Sequence, residues 1–360
     1  MNYLSIFALF AALLHYVPQW HNPTLLFIVS AIAIIPAAGW MGKATEHLAA
    51  KMGAGIGGLL NATFGNMAEL IIAGIALSKG MTDVVKASLT GSIVGNLLLV
   101  LGASIFAGGI KHKTQKFNVS ASRAMASVLV LAAVALIIPT VFHFSAADKW
   151  SKGMEVKLSL FIAVILIVSY ATLLLFSLKT HKSLFSDNES VDEVLDNDDT
   201  EHGHTPWSTK KSIWVLVGAT TMVAILSEYL VSSVEFAGHA LGLTPVFVGV
   251  IVVAIIGNAA EHSTAIFMAR KNKMNLAFNI AVGSSIQIAL FVAPVLVFIS
   301  HLLGAPIDLE FSLAEVVSVG AAVYLTSQVC NDGECNWFEG FQLLAVYAII
   351  AVLFYYLPVS

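Results

Sequence analysis

The sequence predicts an all-α polytopic membrane protein with eleven transmembrane helices, one extra helix followed by two five-helix repeats of inverted orientation. Three observations support this prediction: an apolar composition, a series of membrane-length apolar spans, and an internal repeat. Of the 360 residues, 58% are hydrophobic and only 11% are charged, whereas soluble domains carry about 25% charged residues. This composition excludes a soluble enzyme. The net charge of −4 argues against a nucleic-acid partner, since phosphate binding needs clustered Lys and Arg.

The apolar spans follow one another along the whole chain. A transmembrane helix needs about 20 apolar residues, and a window of about 19 residues finds eleven such stretches. They lie near residues 3–18, 23–42, 53–78, 82–110, 119–143, 156–179, 210–240, 244–269, 274–303, 309–329 and 338–358. Turn residues between positions 18 and 23 separate the first two spans, although a ten-span alternative would merge them. The first residues lack the basic region of a cleaved signal peptide, so we expect the first span to be retained.

The basic residues predict the orientation of these spans. If the spans alternate, 13 of the 18 Lys and Arg residues lie on the side of the amino terminus, and the other 5 lie on the opposite side. Cytoplasmic loops are enriched in basic residues, so the amino terminus is predicted to be cytoplasmic and Ser360 to lie outside. The short loops and compact length favour a bacterial plasma membrane, with a vacuolar membrane as the alternative.

One acidic segment divides the chain into two halves. Residues 187–201 contain eight acids and no base. The predicted organisation is an extra helix at 1–20, a first five-helix repeat at 21–180, an acidic cytoplasmic linker at 181–207 and a second repeat at 208–360. The linker is either a solvated connection or a regulatory segment that attracts cations.

The two halves share a motif. A shift of 192 residues pairs Gly65-Asn66-Met67-Ala68-Glu69 with Gly257-Asn258-Ala259-Ala260-Glu261, and the same shift pairs Gly91-Ser92 with Gly283-Ser284. Five spans separate the two copies, so the second copy enters the membrane from the opposite side. Inverted repeats are the recurring plan of secondary transporters, whose substrate site lies near the midplane where the copies meet.

The motif predicts a cation site built from oxygen atoms. Glu69 and Glu261 lie deep in their spans, where acidic residues are costly and usually functional. An Asn three residues earlier shares the helix face of each Glu, and the companion spans supply hydroxyl and amide groups. Carboxylate, amide and hydroxyl oxygens suit Ca²⁺ and, less well, Mn²⁺ or Mg²⁺. The predicted ligands are Glu69, Glu261, Asn66, Asn258, Asn96, Gln287, Ser92 and Ser284.

The same carboxylates can carry protons. Burial favours the protonated form of a carboxyl group and a bound cation favours its ionised form, so protons and a divalent cation would compete for one site, as in an exchanger. His262, Glu228 and Glu235 extend a predicted proton path from Glu69 and Glu261. Alternatively, His262 only bonds a neighbour and Glu235 lies at the membrane surface. No cofactor is expected, because the divalent cation at such a site would be the transported substrate.

These residues resemble a known family. The segments 65–73, 257–262 and 283–290 are similar to the two alpha-repeats of the Ca²⁺/H⁺ antiporter (CAX) family within the cation/Ca²⁺ exchanger superfamily, and the resemblance covers nearly the whole chain. It implies proton-driven, electrogenic export of Ca²⁺ with Glu69 and Glu261 as the central cation and proton site. Met67 and the pair Ser263-Thr264 depart from the usual family residues, which affects the expected ion preference.

The resulting hypothesis is a secondary active antiporter, not an enzyme, that exports cytosolic Ca²⁺ in exchange for H⁺ by alternating access. Its expected partners are Ca²⁺, H⁺ and the lipid bilayer, and a homo-oligomer is left open. The alternatives of the same fold are a Na⁺-driven Ca²⁺ exchanger and a Mn²⁺/H⁺ antiporter, and a divalent-cation channel is a more distant one. A membrane metalloprotease is disfavoured, because the sequence lacks a His-Glu-x-x-His helix.

Overall fold

The computed structural model describes residues 6–146, 152–185 and 207–357. Nearly all of these residues are helical. In chain order the elements are α1 (Ile6–Tyr16), α2 (Pro23–Phe64), α3 (Met67–Ser78), α4 (Thr82–Lys111), β1 (Thr114–Lys116), α5 (Val119–Ala146), α6 (Lys152–Leu175), α7 (Lys182–Phe185), α8 (Thr209–Leu241), α9 (Pro245–Gly257), α10 (Ala259–Arg270), α11 (Met274–Leu302), α12 (Leu313–Val329), β2 (Glu334–Asn336) and α13 (Trp337–Tyr356). The predicted acidic segment 187–201 lies outside the described residues.

Within the described residues, seven helices are long and apolar enough to cross a membrane, and the bent pair α9 and α10 would make an eighth. Three shorter apolar helices, α1, α3 and α12, add to these. The polytopic helical architecture is thereby confirmed. The count of eleven membrane-crossing helices stays a prediction.

Helix α2 contains the whole of the predicted span 23–42 and the first part of the predicted span 53–78. The helix continues through the segment between the two spans. A side chain at position 57 would collide with the main chain of Ala49. In a straight helix these two positions would be about 12 Å apart along the axis, so α2 bends sharply between them. The apolar span within α2 ends before this bend, at Met52. The two predicted spans are therefore separated by a bend and not by a loop.

The motif segments break their helices. Helix α2 ends at Phe64 and α3 starts at Met67, so the predicted span 53–78 is interrupted at Gly65 and Asn66. In the second repeat, α9 and α10 meet at Asn258 with a bend of 61°. Broken helices of this kind place helix ends inside the protein, where their backbone groups and dipoles can act on an ion.

One small two-stranded sheet accompanies the helices. Strands β1 and β2 pair antiparallel, with Gln115 opposite Cys335. The buried Gln115 side chain donates from Nε2 to the Ala269 carbonyl oxygen at 2.8 Å. Three segments distant in sequence, the ends of α4 and α10 and the loop before α13, therefore meet at one end of the molecule.

The helices bury an apolar core and leave an apolar exterior. Helix α8 packs along α2, and α4 and α11 contribute a large share of the fully buried side chains, among them Leu97, Leu98 and Leu290. On α6, in contrast, Phe161 is 68% exposed and Ile165 is 59% exposed. Large apolar side chains on the outside of a helical bundle fit contact with lipid and not with water.

Candidate functional site

The two motif glutamates lie in the first turns of the helices that begin at the breaks. Asn66 precedes α3 and Glu69 occupies its first turn, and Asn258 and Glu261 do the same for α10. Neither Asn side chain caps its own helix, so both amides are available for contacts across the interior. Each break thus directs one amide and one carboxylate toward the region where the two repeats meet.

Hydrogen bonds join the motif of each repeat to a companion helix. Asn258 Nδ2 donates to Ser92 Oγ at 3.0 Å, and Asn96 Nδ2 donates to Asn258 Oδ1 at 3.3 Å. In the same way, Asn66 of the first repeat donates from Nδ2 to Oε1 of Gln287 in the second repeat. The two repeats therefore interlock through amides, and each companion amide comes from the other repeat.

The carboxylates complete this arrangement. Ser284 Oγ donates to Glu261 Oε2. The side chain of Glu69 packs against Gly257, where an added Cβ would lie 3.3 Å from Glu69 Cγ and 3.5 Å from its Oε1. Glu69 from the first repeat therefore touches the break of the second repeat. The structure places all eight predicted ligands around this junction, and their role in binding a cation stays a prediction.

Two oxygens at the junction are left without partners. Asn66 Oδ1 and Glu69 Oε2 are buried and accept no hydrogen bond from the described residues. A buried polar atom without a partner costs about 1–3 kcal/mol, and more when the group is charged. A cation or a proton bound here would remove that cost. Both partnerless atoms are oxygens, one of an amide and one of a carboxylate, and such oxygens are ligands for a hard cation.

A cavity of about 660 Å³ leads to one of the two carboxylates. Its inner wall includes Glu261, Ser284 and Gln287, and its outer wall includes Lys43 and Glu46 from α2. The cavity therefore connects the junction with the end of the molecule at which Lys43 lies. Water and ions of modest size fit a space of this volume.

The other carboxylate faces a closed space. Glu69 and Ser92 line a cavity of only about 10 Å³, which is about the volume that one water probe occupies. A second small cavity of about 10 Å³, lined by apolar residues and Ser88, lies between α3, α4, α8 and α9. The route from Glu69 toward the far side of the molecule is closed by packed side chains.

The residues of the predicted proton path are not all brought together. His262 Nε2 lies 3.2 Å from Asn96 Oδ1, which links it to the amide cluster. Glu228 instead pairs with Lys79 at 2.6 Å and its side chain is 51% exposed, and Glu235 is exposed as well. Neither Glu228 nor Glu235 lines the cavity that contains Glu261. Their role in proton transfer stays a prediction.

Sequence reasoning missed several polar groups of the cavity. Glu46, which was not among the predicted site residues, lines the same cavity as Glu261. Asn61 and Asn279 also line it. Asn61 precedes Gly65 by four residues, one helical turn, and this spacing was the signal that could have pointed to it.

The two cysteines lie away from this site. Cys330 and Cys335 are free and buried near the β1–β2 pair. Burial raises the pKa of each thiol to about 12. Both thiols are therefore protonated and unreactive at neutral pH.

Comparisons with known proteins find relatives that extend over nearly the whole chain. The family model described as "Sodium/calcium exchanger protein" matches residues 22–179 and 211–356. A Ca²⁺/H⁺ antiporter of Synechocystis is 46% identical over 344 residues, which is 93% of this chain and 92% of that protein. The Ca²⁺/H⁺ antiporter ChaA of Bacillus subtilis is 46% identical over 340 residues, 94% of each chain. The solved structure of native YfkE superposes with a TM-score of 0.83 at 41% identity and covers 98% of each chain.

Proposed function

The chain belongs to the sodium/calcium exchanger protein family, and from this premise we propose that it exchanges Ca²⁺ for H⁺ across a membrane by alternating access. Relatives named as Ca²⁺/H⁺ antiporters share 46% of its residues over more than nine-tenths of its length. The chain is an integral membrane protein of the transporter class, and we extend this to the statement that it has no enzymatic activity.

One observation carries the proposal: two acidic side chains from inverted repeats lie beside partnerless amide and carboxylate oxygens at the point where a cavity ends. Glu69 and Asn66 supply the partnerless oxygens, and Glu261 faces the cavity. Two bare carboxylates in a low-dielectric interior repel each other strongly. One Ca²⁺ relieves this repulsion, and protons relieve it equally, so the site holds one or the other. Competition for one site is what couples the two fluxes.

Alternating access requires that only one side of the site is open at a time. The cavity gives access to Glu261 from the end of the molecule that carries Lys43, while packed side chains close the opposite route from Glu69. This arrangement supports an inward-open state if Lys43 lies in the cytoplasm, as its charge predicts. Ca²⁺ would enter from the cytoplasm, and a rearrangement of the repeats would release it on the other side.

The remaining assignments complete the proposal. The amino terminus is cytoplasmic, the membrane is a bacterial plasma membrane, and Ca²⁺ and H⁺ are the substrates without any cofactor. The chain is organised as an extra helix at 1–20 and two repeats at 21–180 and 208–360, which the linker at 181–207 joins. The eight oxygen- and amide-bearing ligands act as the cation site, with His262 beside it in the proton path.

The test is uptake of ⁴⁵Ca²⁺ into proteoliposomes under an imposed pH gradient, with and without a Na⁺ gradient. The wild type is compared with Glu69→Gln and Glu261→Gln, and Glu334→Gln at the exposed first residue of strand β2 is the matched control. Removing one carboxylate from a buried charge pair with the bound cation costs about 2–5 kcal/mol, so each site variant should lose uptake by about 30-fold or more. The control should transport as the wild type does.

Each outcome distinguishes one alternative. Uphill uptake that needs the pH gradient and ignores Na⁺ supports Ca²⁺/H⁺ exchange. Uptake driven by a Na⁺ gradient would assign the protein to Na⁺-driven exchange, and flux that no proton gradient drives uphill would indicate a channel. If Mn²⁺ inhibits the uptake of ⁴⁵Ca²⁺ at a lower concentration than unlabelled Ca²⁺ does, the protein would be a Mn²⁺/H⁺ antiporter. Transport that survives both Gln variants would refute the two-glutamate site.

A further inference from the structure

A second group of metal-binding side chains lies far from the cavity. His143 near the end of α5, Glu155 at the start of α6 and Glu310 in the loop before α12 each offer one ligand atom, and these atoms all lie within 4.8 Å of one another. His143 Nδ1 is 2.8 Å from Glu155 Oε1 and 3.3 Å from Glu310 Oε2. We propose that these three residues form a binding site for a transition-metal dication, separate from the transport site.

The geometry suits a small metal ion. Zn²⁺ binds imidazole nitrogen and carboxylate oxygen at about 2.0–2.2 Å, so its tetrahedral ligands lie about 3.3–3.5 Å apart. The 3.3 Å separation of His143 Nδ1 from Glu310 Oε2 matches this value, and the 2.8 Å separation from Glu155 Oε1 is shorter. Small rotations of the side chains would open the shorter separation. Three protein ligands leave a fourth position for water.

The charges around His143 favour a bound cation. Asp308 is a third carboxylate that acts electrostatically on both His143 and Glu310. The Lys86 ammonium pairs with Asp308 and also acts on Glu310. Among the described residues, the partly exposed imidazole of His143 is the cation paired with both Glu155 and Glu310. Both carboxylates are mostly buried, since their side chains are 16% and 26% exposed. Two such carboxylates at one point repel each other, and a dication at the cluster removes that repulsion.

The cluster lies at the opposite end of the molecule from the cavity mouth. Asn118, the residue before α5, donates from its backbone N–H to Oδ1 of Asn275 on α11 at 2.5 Å. Helices α5 and α11 therefore start side by side. Helix α11 enters the cavity wall one residue later, at Leu276. A helix rises about 1.5 Å per residue, so His143 lies about 36 Å further along α5. A metal here joins α5, α6 and the loop before α12 on the face opposite the open cavity.

The ligand chemistry separates this site from the transport site. The junction of the repeats offers carboxylate, amide and hydroxyl oxygens, a set that suits Ca²⁺. The cluster offers one imidazole with two carboxylates, and imidazole selects Zn²⁺, Co²⁺ and related ions over Ca²⁺. A transition metal should therefore bind in the presence of excess Ca²⁺.

The experiment measures metal bound to the full-length purified protein in detergent. The protein is freed of metal with a chelator, equilibrated with micromolar Zn²⁺ in millimolar Ca²⁺, and its bound zinc is determined by mass spectrometry. The absorption spectrum with Co²⁺ as the probe then reports whether a nitrogen ligand is present. His143→Gln, Glu155→Gln and Glu310→Gln are compared with the wild type, and the double variant Glu69→Gln with Glu261→Gln is the control for the transport site.

We expect one equivalent of Zn²⁺ in the wild type and in the transport-site double variant. Each cluster variant should lose this equivalent or bind it at least about 10-fold more weakly, as expected for removal of one ligand. Size-exclusion elution and thermal melting of each variant show that it is folded, and three variants at different elements guard against the failure of one. Zinc binding that persists in His143→Gln, that excess Ca²⁺ abolishes, or that disappears in the transport-site double variant would overturn the proposal.

Discussion

The two repeats carry the same motif in opposite surroundings. In the first repeat, four positions line the small closed cavities next to Glu69, namely Ile72, Val84, Ser88 and Ser92. Their counterparts 192 residues later all line the open cavity, and these are Thr264, Leu276, Ile280 and Ser284. Similar sequences therefore give similar helices and a similar break. The state of the transporter, and not the repeat itself, decides which copy is open to water.

The polar atoms of the two motifs differ in the same way. The Asn66 amide oxygen has no partner among the described residues, whereas the equivalent Asn258 oxygen accepts from Asn96. The Asn258 amide nitrogen donates to Ser92 and to the Ala254 carbonyl oxygen. The closed repeat thus holds the partnerless oxygens, and the open repeat has its amide satisfied. In the alternate state of an inverted repeat, these roles are expected to exchange.

The largest test of this comparison is a matched pair of cysteine substitutions, Ser88→Cys and Ile280→Cys. Neither residue is a predicted ligand, and the two positions are equivalent in the repeat. A membrane-impermeant thiol reagent added on the side of the cavity should modify Ile280→Cys rapidly. Modification of Ser88→Cys requires an opening, and an opening cost of about 3 kcal/mol slows it about 100-fold. Equal rates for the two variants would contradict the inward-open arrangement.

The native cysteines provide the control for this experiment. Cys330 and Cys335 are 1% and 2% exposed, and burial raises the pKa of both thiols to about 12. The reactive species is the thiolate, which is about one part in 10,000 at pH 8 for such a pKa. The unsubstituted protein should therefore show almost no labelling at pH 8, and its labelling should rise about tenfold per pH unit below pH 12. Rapid labelling at pH 8 would refute this burial.

A second matched pair tests how closely the repeats approach each other. A side chain at position 91 would collide with the main chain of Val250, while one at position 283 would meet only Met125 Cε at 3.8 Å. Gly91→Ala should therefore cost about 1–3 kcal/mol of stability through overpacking, whereas Gly283→Ala should be nearly neutral. Thermal melting of the purified variants measures the difference. Equal melting temperatures would show that α4 and α9 pack less closely than the structure describes.

The sequence alone predicts much of this comparison but not its asymmetry. The hydrophobic spans and the repeated Gly-Asn-x-Ala-Glu motif predict the helical fold and the inverted repeat, because both are patterns within the sequence. The symmetry of an inverted repeat then predicts that Glu69 and Glu261 lie near each other. Which copy faces water depends on packing over the whole molecule. The pairing of Glu228 with Lys79 is likewise a contact between distant segments, which no local pattern announces.

Other features escaped prediction for a different reason. The strands β1 and β2 have three residues each, which is too short for an alternating pattern to be recognised. Helix α2 continues through its sharp bend. The sequence pattern predicted two spans with a loop between them, because the apolar stretch is interrupted there although the helix is not. Glu46 was not predicted as a site residue, because it lines the cavity that contains Glu261 through the packing of segments that are distant in sequence.

The smallest effect is expected from the two motif serines. Ser284 donates to the Glu261 carboxylate, while Ser92 accepts from an Asn258 amide that also donates to the Ala254 carbonyl oxygen at 2.9 Å. Hydrogen bonds to charged groups contribute about 1.5–3 kcal/mol and those between neutral groups about 0.5–1.5 kcal/mol.

Ser284→Ala should therefore weaken the apparent Ca²⁺ affinity roughly tenfold and Ser92→Ala only about two- to threefold, measured as the Ca²⁺ concentration for half-maximal uptake at fixed pH. The physical reason is that the Ser284 hydroxyl favours the ionised carboxylate that a cation needs, whereas Asn258 keeps a second acceptor when Ser92 is lost. If Ser92→Ala has the larger effect, the resting state that binds Ca²⁺ has the first repeat open and not the second. Such a result would exchange the assignment of the open and the closed repeat and would leave the two-glutamate site unchanged.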